Sequence, residues 1–139
     1  MKVFLDSNVL FSICYSGKET SRSWLLYDLQ AEGQLTLFIS NLVQEEVRFN
    51  LKIKKEAALP IFEERLAHTV VLADAAPLSI FPSIASLPDN DRIILATALH
   101  HRMDVFLTGN SRDFSALYHH RIGTTTILTP RAFLERQAT

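Results

Sequence analysis

Short, continuously apolar runs alternate along this chain with stretches whose apolar residues recur at helical spacing. Val3-Phe4-Leu5 is too brief for a helix and reads as a buried strand ending at the polar Asp6-Ser7-Asn8. Leu35–Ile39, Thr69–Leu72, Asp104–Leu107 and Thr124–Leu128 read the same way. Between them, Ser21–Gln30 carries Trp24, Leu25, Leu26 and Leu29 at helical spacing and is stopped by Gly33. A second helix opens at Ser40-Asn41, where Asn41 and Gln44 fit a capping box. Pro60–Leu66 is a short helix, Ser111–Tyr118 one or two helical turns, and Thr129-Pro130 starts a last helix running to about Gln137. Positions 73–86 are richer in Pro and Ala, and Pro77 and Pro82 limit any long helix there. Short apolar strands alternating with helices predict a three-layer α/β/α sandwich around a mainly parallel sheet of about four to five strands. No repeat or long linker divides the chain, so residues 1–139 are expected to form a single domain.

The stretch from Leu87 to Phe114 organises the rest. Pro88 stands where a helix begins, with Asp89 as its expected N-cap and Asp91 in the first turn, where the helix dipole favours a carboxylate. Leu95 and Ala98 follow Asp91 at helical spacing, so this acid tops an apolar face. The strand that follows ends at Thr108-Gly109, with Asn110 and Asp113 just beyond. On the helix from Asn41, Glu46 sits in an arc with Leu42, Val43, Phe49 and Ile53, while Glu45 lies with Arg48 and Lys52. A carboxylate in an apolar arc is costly unless paired or bound to a cation, which marks Glu46.

Composition narrows the chemistry. The hydrophobic fraction of 47% and charged fraction of 21% are ordinary for a globular protein. A net charge of −1 gives no global basic field, so any nucleic-acid surface must be a local patch. The single Cys14 cannot form an internal disulfide, and no apolar run approaches the ~20 residues that span a bilayer. A cytoplasmic location without membrane contact is therefore expected.

In a parallel sheet, ligands bind beyond the C-terminal ends of the strands, where Asp6 and Asn110/Asp113 fall. Carboxylates gathered without a basic partner raise each other's pKa, and a hard divalent cation such as Mg²⁺ or Mn²⁺ relieves this. The reaction that suits such a site is metal-assisted hydrolysis of a phosphodiester. No Cys/His spacing supports zinc, and there is neither a Gly-rich phosphate loop nor a serine nucleophile elbow.

Four segments carry a resemblance: Val3-Phe-Leu-Asp-Ser-Asn-Val-Leu10, Ile39-Ser-Asn-Leu-Val-Gln-Glu-Glu-Val47, Asp89-Asn-Asp-Arg-Ile-Ile-Leu-Ala-Thr-Ala-Leu99 and Val105-Phe-Leu-Thr-Gly-Asn-Ser-Arg-Asp-Phe114. In order and spacing they resemble the signature segments of the PIN domain. The flavour is that of small VapC-like toxin components of prokaryotic toxin–antitoxin pairs. The resemblance implies a Mg²⁺- or Mn²⁺-dependent endoribonuclease. Asp6, Glu46 and Asp91 would be metal-site and catalytic acids. The fourth polar position falls at Asn110 or Asp113. Asp113 is assigned an indirect metal role, and Asn110, Ser7 and Thr108 substrate-orienting ones. It also implies an RNA substrate, a cognate antitoxin and a homodimer.

Other readings remain open at this stage. Asn110 and Asp113 equally fit a helix cap and a first-turn acid, and Asp6 a strand-end turn residue. The same fold serves nucleases acting on DNA or structured nucleic acid, or a non-catalytic module binding RNA or protein. Haloacid-dehalogenase chemistry needs a second Asp two residues after Asp6, where Asn8 stands. A receiver domain needs a distant Lys, and none follows Lys55.

Overall fold

Val3, Phe4 and Leu5 are all fully buried, so β1 (Lys2–Leu5) is covered on both faces, as its unbroken apolar run requires. The computed structural model describes residues 1–75 and 84–137. Pro77 and Pro82, expected to limit a helix, lie outside these residues.

Around β1 the sheet adds β2 (Thr36–Ser40), β3 (Val70–Leu72), β4 (Val105–Leu107), β5 (Arg121–Ile122) and β6 (Thr125–Leu128), in the order β3-β2-β1-β4-β6-β5. All neighbours are parallel except the β5–β6 pair. Five strands match the expected runs. The sixth, β5, is a two-residue edge closed by the turn at Gly123, too short to leave an apolar signature.

Among the described residues there are seven α-helices: α1 (Ser7–Ser16), α2 (Leu25–Ala31), α3 (Asn41–Lys54), α4 (Leu59–Ala67), α5 (Asp89–His100), α6 (Ser111–Phe114) and α7 (Pro130–Gln137). Crossovers between parallel strands are right-handed. The chain steps one way from β1 to β3 and then returns to the other side of β1 at β4. That reversal puts α5 on the face opposite α1 to α4, which makes three layers. It also makes the gap between β1 and β4 the topological switch point, the favoured ligand crevice of such a sheet. Stacked Phe4 and Phe106, 5.6 Å apart, with Phe114 5.5 Å from Phe106, fill the core beneath it.

Three local expectations are corrected. The cap of α3 is Ser40, whose Oγ accepts from the Val43 amide, so Asn41 is already inside the helix and the capping box is not formed. Pro88 occupies the cap position of α5, and Asp89 lies inside the first turn, paired at the surface with Arg92 at 2.9 Å. The apolar arc drawn around Glu46 is not the packed face of α3. Val43, Val47 and Leu51 are buried, whereas Phe49 and Ile53 are 63% and 66% exposed. The helix carries two apolar stripes, and Glu46 sits on the border between them.

Candidate active site

Asp6 ends β1 and starts α1 in one residue. Its amide donates to the Leu107 carbonyl of β4, completing the strand pairing. Its Oδ1 accepts from the Ser7 amide and so caps α1. The other oxygen accepts from Thr108 Oγ1 at 2.7 Å and Asn8 Nδ2 at 2.9 Å. Asp6 is only 2% exposed, and burial drives its pKa up despite these three donors, with the Glu46 charge adding to the rise.

The loop after β4 is held from the opposite side. Asn8 Oδ1 accepts from the Gly109 amide at 2.7 Å, so the segments after β1 and β4 are clamped together across the switch point. A Cβ at position 109 would sit 3.1 Å from that oxygen, which explains a glycine there. Thr108 Oγ1 also accepts from the Asn110 amide, and Tyr118 donates its hydroxyl to the Thr108 carbonyl.

Asp91 is brought opposite Asp6 by the first turn of α5. Its pKa is pushed up to about 7, first by burial and then by the Asp6 charge. A hydrogen bond with Asp113, which only protonated Asp91 can donate, adds to this, as do the charges of Asp113 and Glu46. The acids from four separate segments therefore feel one another. Glu46 accepts from Ser7 Oγ and from Asn90 Nδ2, the latter at 3.1 Å. Asp113 accepts from Asn110 Nδ2 at 2.9 Å while its amide donates to Asn110 Oδ1, so Asn110 is the cap of α6. Asp6, Ser7, Asn8, Phe11, Glu46, Asn50, Lys54 and Asp91 line an open cleft of about 250 Å³.

Thr108, expected to orient substrate, is fully buried, and its hydroxyl donates to Asp6. Thr108→Val is expected to leave a buried acid short of a donor and the Asn110 amide short of an acceptor, costing about 1–3 kcal/mol in urea unfolding. The cost should grow as the pH rises, because the lost donor favours ionised Asp6. Asn8 and Asn90 were not singled out in the sequence. The one available signal was their place beside an acid, in Asp6-Ser7-Asn8 and Asp89-Asn90-Asp91.

The model of the PIN domain matches residues 3–119 of the 139. The chain belongs to the PIN domain family. The fold is shared with solved PIN-fold neighbours at low identity. A structure of VapBC2 from Rickettsia felis bound to a promoter DNA fragment matches with a TM-score of 0.68 and 16% identity, over 93% of this chain and 98% of that one. A toxin–antitoxin complex from Klebsiella pneumoniae gives 0.60 and 24%, over 92% and 97%. VapC20 of Mycobacterium tuberculosis, a sarcin-ricin loop cleaving toxin, gives 0.58 and 18%, over 82% and 93%. No curated protein matches the chain.

The donor set of this PIN site is carboxylate oxygen throughout, the chemistry of a hard divalent cation rather than zinc. Among the described residues no three His, Cys, Asp or Glu side chains stand ready as an ion cage. The hydrogen bonds account for this: Glu46 is turned to Ser7 and Asn90, and Asp113 to Asn110. Burial, with the neighbouring acids adding to it, raises the pKa of both Asp6 and Asp91, a penalty on their charged forms that a bound cation would relieve.

Proposed function

We propose that this PIN protein is a Mg²⁺- or Mn²⁺-dependent endoribonuclease that hydrolyses RNA phosphodiester bonds and acts as the toxin of a toxin–antitoxin pair. The observation carrying this reading is the meeting of Asp6 and Asp91 at the switch point, with Glu46 and Asp113 close enough to shift Asp91. Asp6 and Asp91 would hold the ion, with Glu46 directly beside them and Asp113 acting indirectly. The bound ion supplies a Lewis acid for the phosphate and lowers the pKa of an attacking water. Asp91, with a pKa of about 7 before an ion enters, is poised to give up its proton as the site fills. Thr108 and Asn8 keep Asp6 oriented, and Ser7 at the N-terminal end of α1 lies where a phosphate oxygen is favoured. Asn110 is assigned to orienting the substrate or the water.

The antitoxin partner is proposed from the toxin–antitoxin neighbours, and a homodimer from the PIN resemblance. Exposed Phe49 and Ile53 on α3 support a surface that some partner covers. A cytoplasmic location is part of the proposal; no helix among the described residues is long and apolar enough to cross a membrane.

Purified protein is expected to cut single-stranded RNA with Mg²⁺ or Mn²⁺ and to stop in EDTA. RNA left intact with both ions would sink the proposal, and preferential cutting of DNA would redirect it to a DNA nuclease. The absence of a ready-formed ion cage favours one second reading, an RNA-binding module without catalysis. Its signature would be RNA bound and never cleaved.

A further inference from the structure

Two cation–aromatic pairs stand side by side at one end of the acidic cleft. Lys54 Nζ lies 5.4 Å from the centre of the Phe11 ring, and Lys55 Nζ lies 5.2 Å from that of Tyr15. Phe11 and Tyr15 are one turn apart on α1, with ring centres 5.4 Å apart and planes tilted by 31°. Phe11 and Lys54 line the cleft together with Asp6, Glu46 and Asp91. Tyr15 is 43% exposed one turn farther out, about 6 Å along the helix.

We propose that single-stranded RNA leaves the cleft along this track past Phe11, a base stacking on exposed Tyr15 and its flanking phosphates meeting Lys54 and Lys55. The inference rests on the nuclease reading and names how the same site holds its substrate. Charge supports it first. Four acids repel a polyanion, and a chain of net charge −1 needs a local patch to receive one. From Val47 to Lys55 the chain carries Arg48, Lys52, Lys54 and Lys55 and no acid. Arg48 is engaged by Glu63, whereas no ion pair among the described residues involves Lys54 or Lys55.

Shape supports it next. Lys55 Nζ donates to the Tyr15 carbonyl at 2.8 Å, which fixes its ammonium group beside the exposed ring. Rings interleaved with cations are the surface that unpaired bases and their backbone recognise together. A duplex hides its base faces and cannot use such a track, so the occupant is single-stranded.

The test uses an unstructured RNA of about a dozen nucleotides, read by steady-state cleavage and by fluorescence anisotropy. Lys54→Gln/Lys55→Gln is expected to raise KM more than tenfold with a smaller change in kcat. It should also flatten the dependence of log affinity on log salt by roughly 1.4, two single-strand phosphate contacts at about 0.7 each. Lys54→Arg/Lys55→Arg should restore both. Tyr15→Ala should weaken binding roughly five- to a hundredfold, as the loss of one stacked base implies. Tyr15→Phe should restore it, and the exposure of Tyr15 keeps the fold out of the comparison. Lys2→Gln, at the end of β1 opposite Asp6, serves as the control and should leave KM and the salt slope where they are.

Unchanged KM and salt slope in the lysine pair would overturn the track while leaving the nuclease reading intact. RNA bound but not cut, with affinity still dependent on Lys54, Lys55 and Tyr15, would keep the track and remove the nuclease. Absence of RNA binding, or tighter binding of single-stranded DNA, would overturn the RNA track.

Discussion

Asp91→Asn is expected to slow metal-dependent RNA cleavage roughly a thousandfold, about 4 kcal/mol in the barrier, while making the ion-free protein more stable at pH 8. The two effects come from one cause. Asp91 is partly buried and faces Asp6, Asp113 and Glu46; burial first, and then these neighbouring acids, raise its pKa from 3.8 to about 7. The folded state thus holds a proton on Asp91 that the unfolded chain releases between about pH 4 and 7. Stability from this group is fully present below its unfolded pKa and is lost as the pH rises through its folded one. Above pH 7 the ion-free wild type carries an ionised, crowded carboxylate; asparagine carries no charge at any pH. Melting temperatures in EDTA should therefore separate the two proteins at pH 8, with Asp91→Asn the higher, and converge near pH 4. A variant that lost stability at pH 8 would show that Asp91 holds the fold rather than a cation. Cleavage unaffected by the substitution would remove Asp91 from the chemistry.

This opposition of activity and stability also explains which parts of the site could be read from the chain. Asp6 and Asp91 stand out because each interrupts a local rule: an acid ending a fully apolar strand, and an acid topping an apolar helix face. Helical spacing puts Glu46 in an apolar arc that is not the packed face of α3. Periodicity finds apolar stripes on α3 but not which stripe packs, and the sheet takes Val43, Val47 and Leu51, leaving Phe49 and Ile53 in solvent. Glu46 faces the cleft because it borders the packed stripe. What it meets there, Ser7 and Asn90, comes from α1 and α5 and has no trace in its own neighbourhood.

The start of α1 was hidden for a related reason. Asp6-Ser7-Asn8 has turn composition, and the helix after it buries Val9, Leu10, Ile13 and Cys14 while Phe11 lies against the core as well. Its polar side is a thin stripe of Asn8, Ser12 and Ser16 flanked by Phe11 and Tyr15, so its amphipathic spacing is faint. The same blindness shifted two caps by a residue, since Ser40 and Asn41 are both good cap types and only the backbone at Ser40 is extended. Thr108 likewise looks like a polar group near the site, and only the fold shows it sealed beneath Asp6.

Mn²⁺ at a hundred times its pH 8 dissociation constant is expected to stabilise the protein by about 2.7 kcal/mol at pH 8, and the same concentration much less at pH 6. For a chain of this length each kcal/mol moves the melting temperature by roughly 2–8 °C, so the rise should be readily measured at the higher pH. The pH dependence follows from competition. Below pH 7 an entering ion must displace the Asp91 proton, and Asp6, raised in the same direction by its burial, adds to that cost. Glu46 must also turn from Ser7 and Asn90 before it can help. Ser7→Ala removes one of those competing partners and should strengthen Mn²⁺ binding in this assay even where it harms substrate placement. A shift of equal size at both pH values, or one that survives in Asp6→Asn/Asp91→Asn, would place the ion somewhere other than between these acids.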